Sequence, residues 1–190
     1  MRPTREQAKE NRQRILDTAA RLFRENGIHA VGVDAVMKGA GLTHGGFYGH
    51  FKSKGDLTTE AVSHAMDAAL QSAADVKSME EFAAAYLSRE HRDIAGNGCT
   101  IATLGPELAR FPEGQRGTVS DYVSAQIAQI EALQAAKDGT TDRRKAIADL
   151  SSLLGALIMA RTVDDPQLSD EILTETKLYF ATDANKPTNS

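Results

Sequence analysis

The sequence predicts an all-α protein of about nine helices, and three observations support this prediction. Apolar residues recur at three- and four-residue spacing along most of the chain, which is the period of an amphipathic helix. Short breaks such as Gly96-Asn97-Gly98 and Asp138-Gly139-Thr140 separate these periodic segments. We find no internal repeat and no alternating segment long enough for a strand. The 190 residues, 41% hydrophobic and 25% charged, suit a globular chain of one large or two small domains.

The first helix is predicted over residues 5–26, because Ile15, Ala19, Leu22 and Phe23 share one face. Gly27 follows as its expected C-cap. Arg2 and Arg5 lie on a basic arm before or at the start of this helix. Such an arm can reach DNA phosphates or a minor groove, or it can be an ordinary solvated terminus.

The stretch from 33 to 51 predicts two short helices, over 33–39 and 43–50, joined by Ala40-Gly41-Leu42. Thr43 can cap the second helix through its hydroxyl. Gly41 suits a turn position that needs positive φ. A helix-turn-helix unit has this spacing and places its second helix in a DNA major groove. A purely structural helix hairpin has it as well, so the spacing leaves both interpretations open.

Ser53 is the expected N-cap of a fourth helix, with Asp56 at its N3 position. The amides at the start of that helix are suited to bind a DNA phosphate. The remaining helices are predicted over 53–74, 79–92, 99–109, 115–136, 142–163 and 169–180. The polar tail, 183–190, is predicted to be disordered.

Composition restricts the compartment and the partners. One cysteine cannot form an internal disulfide, which favours a reducing cytoplasm. No run of about 18 apolar residues could span a membrane, and no signal-peptide core is visible, so we expect no membrane partner. Residues 1–60 contain ten Lys and Arg against seven Asp and Glu, whereas residues 61–190 contain twelve against nineteen. A basic head on an acidic body is typical of a DNA-binding head joined to a body that does not bind DNA.

Signatures of catalysis and of metal binding are missing from the sequence. No glycine-rich phosphate loop of the P-loop or Rossmann kind is present. The five histidines form no i, i+4 pair and have no cysteine nearby, so we expect no metal and no cofactor. An enzyme would need a convergent acid, base or nucleophile, and only Cys99 with the distant His91 offers one. We therefore expect that the chain is not an enzyme.

The run Gly41-Leu-Thr-His-Gly-Gly-Phe-Tyr-Gly-His-Phe-Lys-Ser-Lys54 resembles the signature of the TetR (AcrR-like) family of bacterial transcription regulators. The resemblance is strong over residues 10–60. Beyond them it is limited to helical character and two short stretches, one around Cys99–Ala109 and the other Arg161–Leu173. The resemblance implies a DNA-binding head, 1–52, and a body, 53–182, that dimerises and encloses a small-molecule pocket. It further implies a homodimeric repressor that binds palindromic double-stranded operator DNA and is released by a small-molecule inducer. The alternatives are a transcriptional activator, an architectural DNA binder without ligand control, and a thiol-based redox or electrophile sensor that uses Cys99.

The head residues expected to contact DNA divide into two groups. Thr43 and His44 are the candidates for base edges, whereas Tyr48 and His50 point at phosphates. The full set is Thr43, His44, Gly45, Gly46, Tyr48, His50, Lys52 and Lys54. The family more often has a side chain where this sequence has Gly46 and Gly49, and each helical glycine costs about 1 kcal/mol relative to Ala. Close approach of the backbone to DNA can compensate for the missing side chains.

The ligand pocket is expected among the fourth to seventh predicted helices, which contain more mixed residues than a dry core tolerates. The candidates are Met66, Phe82, Tyr86, Cys99, Thr103, Tyr122 and Gln126. The alternative is that several of them face solvent. Cys99 lies at a predicted helix start, where a thiol pKa is lowered. Our main interpretation is nevertheless that Cys99 is a small buried structural residue.

The dimer interface is expected on the last two predicted helices. Apolar residues there recur at three- and four-residue spacing beside small residues, and so long an exposed stripe would be unusual on a monomer. The candidates are Ile147, Leu150, Ser151, Leu154, Gly155, Leu157, Ile158, Ile172, Thr176 and Tyr179. Two such helices from each copy would form a four-helix contact. The alternative is that the stripe packs inside its own subunit.

Overall fold

The computed structural model describes residues 4–183, and all regular structure in that range is helical. The α-helices are α1 (Arg5–Asn26), α2 (Val33–Gly39), α3 (Lys54–Ser72), α4 (Met79–Tyr86), α5 (Arg89–Asp93), α6 (Thr100–Leu108), α7 (Gly117–Asp138), α8 (Arg143–Thr162) and α9 (Pro166–Asp183). Three 3-10 helices cover His44–Gly49, Ala95–Asn97 and Glu113–Gln115. The all-α prediction is confirmed. Arg2 of the predicted basic arm and residues 184–190 of the predicted tail lie outside the described residues.

Local capping explains why the first helices begin and end where the sequence predicts. Thr4 and Gln7 form a capping box at the start of α1, and Gly27 ends that helix with a φ of +83°. Gly41 has a φ of +71° in the turn after α2, as predicted. The Ser53 hydroxyl accepts a hydrogen bond from the Asp56 amide at the start of α3. Each of these signals can be recognised within a few residues of sequence.

The predicted helix over 79–92 is wrong in one respect, because the structure divides it. α4 ends at Tyr86, and the fully buried Leu87 follows it. The Ser88 hydroxyl then accepts a hydrogen bond from the His91 amide at the start of α5. A new N-cap at Ser88 and a buried side chain beside it therefore outweigh the continuous helical pattern.

The last helix also begins earlier than predicted, at Pro166 and not at Ser169. The Asp165 carboxylate accepts from the Gln167 amide at 2.8 Å, and Pro166 occupies the first helical position, where a missing N–H costs nothing. Ser169 instead donates its hydroxyl to the Ala160 carbonyl at 2.6 Å, which fastens α9 to α8.

Two main cores organise the described residues. The first unites α1, α2, the 3-10 helix His44–Gly49 and α3 with Leu104 and Leu108 of α6 and Tyr122 of α7. The second joins α4, α8 and α9 around Leu153, Leu157 and Leu173. A smaller apolar cluster joins α7 to α8. The N-terminal helices are thus packed directly onto α6 and α7. No described helix is both long and apolar enough to cross a membrane.

Candidate DNA-binding surface and body cavity

The short element His44–Gly49 presents the predicted DNA-contacting side chains. It is a 3-10 helix and not a regular α-helix. Thr43 occupies its N-cap position as predicted, but the predicted hydrogen bond to the Thr43 hydroxyl does not form. Three glycines in six residues remove most of the intrinsic drive for α geometry. The element is held in place by Phe47, which is 1% exposed and stacks on Phe51 at 5.8 Å between ring centroids.

With Phe47 turned inward, its neighbours face solvent. Tyr48 is 71% exposed, and the His44 ring lies 6.3 Å from it, edge to face. The His44 Nδ1 is hydrogen-bonded to the carboxylate of Asp34 on α2. Asp34 was not predicted from the sequence, because nothing in the local pattern brings positions 34 and 44 together. Among the other predicted residues, Thr43, Gly45, Gly46 and Lys52 are exposed, while His50 and Lys54 are half-buried.

His50 and Arg12 show how the helices around this surface are joined. Burial, with a smaller contribution from Arg12, lowers the pKa of His50, so its imidazole is neutral at pH 7. The Arg12 guanidinium pairs with Glu60 of α3 and lies 4.8 Å from the centroid of the Phe51 ring. Arg12 thus holds α1 against α3 and is engaged within the protein.

The start of α3 leaves backbone donors at the surface. The Asp56 carboxylate accepts from the Lys52 amide at 3.0 Å, and the Asp56 amide donates to Ser53 at 3.0 Å. The amides of Lys54 and Gly55, at the first two helical positions, have no intrahelical acceptor. Two amides beside two lysines can bind one phosphate group.

The body contains a cavity of about 680 Å³ between α1, α3, α4 and α7 and the segment after α5. Five of the predicted pocket residues line it, namely Phe82, Tyr86, Cys99, Tyr122 and Gln126. The other two predicted pocket residues do not. Met66 is 1% exposed within the first core, and the Thr103 hydroxyl donates to the Cys99 carbonyl at 3.0 Å on its own helix.

One wall of this cavity was not predicted from the sequence, because α1 was assigned to the head alone. Asp17, Thr18, Ala20, Arg21 and Arg24 of α1 line it. The polar face of α1 looks like an ordinary solvated face in the sequence. Only the packing of α1 against the body turns this face toward the cavity.

Two buried polar groups in the cavity wall have no hydrogen-bond partner among the described residues, the Tyr86 hydroxyl and Gln126 Oε1. The Tyr86 and Gln126 side chains are 8% and 6% exposed. Burial raises the pKa of the Tyr86 and Tyr122 phenols, and the nearby Cys99 adds to both shifts. Both phenols are therefore protonated at neutral pH and can donate a hydrogen bond.

His91 is fixed as a neutral imidazole behind Cys99. Its Nδ1 donates to the Tyr86 carbonyl at 2.6 Å, and its Nε2 accepts from the Cys99 amide at 2.9 Å. Burial lowers the pKa of His91, in agreement with this bonding. The Cys99 thiol is buried. Within residues 4–183 no group of three or more His, Cys, Asp or Glu side chains could hold a metal ion.

The apolar stripe predicted on α8 divides between the interior and the surface. Leu150 and Leu157, 3% and 0% exposed, belong to the cores of their own subunit, so the prediction that both lie on the surface is wrong. They lie on the inner side of α8, where α7 and α9 cover them. The remaining candidates are exposed or half-buried, and they are Ile147, Ser151, Leu154, Gly155, Ile158, Ile172, Thr176 and Tyr179. Met159, 52% exposed, extends this face and was not predicted.

Comparison with known proteins finds relatives of the N-terminal helices. Residues 15–61 match the family described as bacterial regulatory proteins, tetR family. The HTH-type transcriptional regulator AcrR of Shigella flexneri is 46% identical over 59 residues, which are 31% of this chain and 27% of AcrR. An HTH-type transcriptional regulator of Staphylococcus aureus (strain USA300) is 40% identical over 63 residues, 33% of this chain and 34% of that protein. The match thus spans about a third or less of each relative.

Solved structures extend the similarity to the whole fold. A TetR transcriptional regulator from Chloroflexus aurantiacus has a TM-score of 0.76 at 21% identity, covering 93% of this chain and 96% of that one. The reduced form of E. coli NemR has a TM-score of 0.75 at 20% sequence identity. The match covers 91% of this chain and 96% of the NemR chain. SCO4454, a TetR-family transcriptional regulator from Streptomyces coelicolor, has a TM-score of 0.68 at 22% sequence identity. The match covers 94% of this chain and 97% of SCO4454. Residues 15–61 of this chain thus match the tetR family model, and its fold is similar to that of solved TetR-family transcriptional regulators.

Proposed function

We propose that the chain is a repressor that binds palindromic operator DNA as a homodimer and is released by a small-molecule inducer. Residues 1–52 would act as the DNA-binding head, and residues 53–182 as the body that dimerises and holds the inducer. The resemblance of residues 41–54 to the TetR signature implies this assembly, and the match of residues 15–61 to the family of bacterial regulatory proteins supports it.

The observation that carries the proposal is the position of α1, which belongs to the head core and also lines the body cavity. Phe23 of α1 is buried in the first core with Phe47, while Arg24, the next residue, faces the cavity. A molecule in the cavity would touch α1, which shares the first core with Phe47 of the DNA-contacting element. Such a molecule can favour one orientation of the head over another, which is what release by a population shift requires.

Hydrogen bonds to Glu107 also link the head to α6. The Glu107 carboxylate accepts from the Ile28 amide at 3.0 Å and from the His29 amide at 3.4 Å, in the turn between α1 and α2. Leu104 and Leu108, on the same helix, belong to the first core. A displacement of α6 would therefore be passed to the start of the helix-turn-helix unit.

The function can be tested by selecting bound fragments from random DNA with the full chain, followed by footprinting and titration by fluorescence anisotropy. We expect a palindromic site bound by two copies, with specific affinity on the order of 10 nM. Placing the selected site downstream of a promoter should lower transcription. Recovery of sequences without two-fold symmetry, or activation of transcription at the selected site, would contradict the repressor model.

A thiol-based sensor is the second candidate, and one observation favours it. Cys99 lines the cavity, so an electrophile that enters would meet the thiol. A Cys99→Ser variant separates the two candidates.

A further inference from the structure

Some charged side chains that line the cavity have an oppositely charged partner, and Arg24 has none among the described residues. Arg21 Nη1 pairs with Glu25 at 2.8 Å, and the His64 imidazole pairs with Asp17 at 2.6 Å. Arg24, by contrast, has no carboxylate within 4.0 Å among the described residues. The cavity lining therefore contains one acidic side chain, Asp17, which is already paired, and one guanidinium, Arg24, without an anionic partner among the described residues.

The Arg24 guanidinium is half-buried, and the protein uses only one of its nitrogens. Nε donates to the Gly96 carbonyl at 2.7 Å, while no hydrogen bond within the described residues uses the two Nη groups. Burial lowers the pKa of Arg24, which reflects the cost of removing the cation from water. The two Nη groups form the fork that binds a carboxylate with two parallel hydrogen bonds.

The rest of the wall matches an organic molecule and not an inorganic ion. Phe82, Leu70 and Val76, with several alanines, supply an apolar surface. Tyr86 and Gln126 add a phenolic donor and an amide, and each has a buried oxygen without a partner in the described chain. At about 680 Å³ the cavity has room for a molecule of two or three rings.

We propose that the cavity binds a small organic anion, with its acidic group on the Arg24 fork and its apolar body against Phe82. Tyr86 and Gln126 bond polar substituents on the body. The proposal rests on the proposed function in taking this molecule to be the inducer. A cationic ligand is disfavoured, since Asp17, the acidic side chain in the cavity lining, already pairs with His64 and binding a cation near Arg24 would place like charges together.

The experiment uses three probes of one shape, biphenyl-4-carboxylate, biphenyl-4-carboxamide and biphenyl-4-ylmethylammonium, titrated into the full chain by calorimetry. We expect the carboxylate to bind at least about tenfold more tightly than the carboxamide, because only the carboxylate forms a charge-assisted bidentate bond with a guanidinium. We expect the ammonium probe to bind weakest. A carboxylate that binds no tighter than the carboxamide, or no binding by any probe, would overturn the proposal.

Variants assign the preference to one side chain. Arg24→Gln should reduce the ratio of carboxylate affinity to carboxamide affinity to about one. The carboxamide affinity itself should stay unchanged, since only the charge-assisted bond is lost. Arg24→Lys should keep part of the ratio, and it controls for loss of the bond to Gly96. Arg21→Gln is the matched control on the same helix and should keep the ratio. A ratio that survives Arg24→Gln, or disappears in Arg21→Gln, contradicts the role of Arg24.

The same probes, added to the protein–operator complex, separate this proposal from the proposed function. Preferential carboxylate binding without release of DNA would support the anion site and count against the inducer model. Release by the carboxamide or the ammonium probe but not by the carboxylate would support the inducer model and overturn the anion site.

Discussion

His44 is the residue on which sequence discrimination should depend, and its imidazole is already held by Asp34. Holding Nδ1 fixes the ring and leaves Nε2 to meet a base edge. His44→Ala should therefore relax specificity, reducing the difference between the best site and single-base variants by about 1–3 kcal/mol at one position. Tyr48→Phe and Lys54→Ala should weaken binding to all sequences alike, because phosphate contacts carry no sequence information.

Anisotropy titrations against a panel of single-base operator variants measure this difference. Asp34→Asn serves as a companion variant, because an amide can still bond to the imidazole but carries no charge. A Tyr48→Phe protein that loses discrimination and keeps its affinity would reverse the two assignments.

Cys99 is expected to be structural, although it lines the cavity. It caps α6 with its backbone, and its side chain, 5% exposed, belongs to the second core together with Tyr86. Cys99→Ser should lower the free energy of unfolding by about 1–2 kcal/mol, because a hydroxyl replaces a buried thiol. The response to a non-reactive inducer should persist. The measurement pairs a urea melt with operator release by N-ethylmaleimide and by peroxide. Release by these reagents in the wild type but not in Cys99→Ser would favour the sensor model.

At the scale of elements, the 3-10 helix His44–Gly49 is stabilised by its packing against the rest of the protein. A Cβ added at Gly45 would meet no atom within 4 Å in the chain itself. Gly45→Ala should therefore raise the free energy of unfolding by about 0.5–1 kcal/mol through lower entropy of the unfolded chain. Operator affinity should fall, because a methyl group would separate the backbone from the DNA. Thermal melts and anisotropy test both parts.

Gly32→Ala is the control for Gly45→Ala. It lies outside the predicted DNA contacts, and an added Cβ would also meet nothing within 4 Å. It should leave operator affinity unchanged. Unchanged affinity in Gly45→Ala would mean that the backbone does not approach DNA at this position.

The element ends that could be predicted from sequence are those decided by neighbouring residues. Gly27 and Ser53 act within a few positions of themselves, and the sequence predicted both. The break at Leu87 and Ser88 depends on what covers Leu87 in the second core, and the helical period continues through it. The α1 wall of the cavity was missed for the same reason, since the partners of Arg24 lie about seventy residues away in the chain.

At the scale of the whole molecule, Glu107 should control communication between cavity and head. Its carboxylate holds the amides of Ile28 and His29, so Glu107→Ala should lower stability by about 1.5–3 kcal/mol. Inducer affinity should stay the same, because Glu107 does not line the cavity. The ratio of operator Kd values with and without inducer should decrease. An unchanged ratio in a folded Glu107→Ala protein would show that coupling does not pass through this contact.

The face formed by α8 and α9 is the expected dimer interface. The sequence predicted an apolar stripe there but could not determine which leucines its own subunit covers. Leu150 and Leu157 point inward, whereas Ile147, Ile158 and Met159 are 45%, 42% and 52% exposed. An added Cβ at the neighbouring Gly155 would meet nothing within 4 Å, so a second backbone has room to approach. A contiguous exposed face of this kind is typical of a protein–protein contact.

Ile158→Asp should therefore disrupt the dimer and leave the fold intact, because Ile158 is outside the buried cores, whereas Leu154 packs partly against the second core. We expect the wild type to sediment as a dimer at micromolar concentration and Ile158→Asp as a folded monomer. Specific operator affinity should fall by more than about a hundredfold, since two heads no longer bind together. Ile94→Asp, at a similarly exposed residue between α5 and α6, is the matched control and should remain dimeric. A wild-type monomer, or a dimeric Ile158→Asp with normal operator binding, would mean that the two copies meet through another surface.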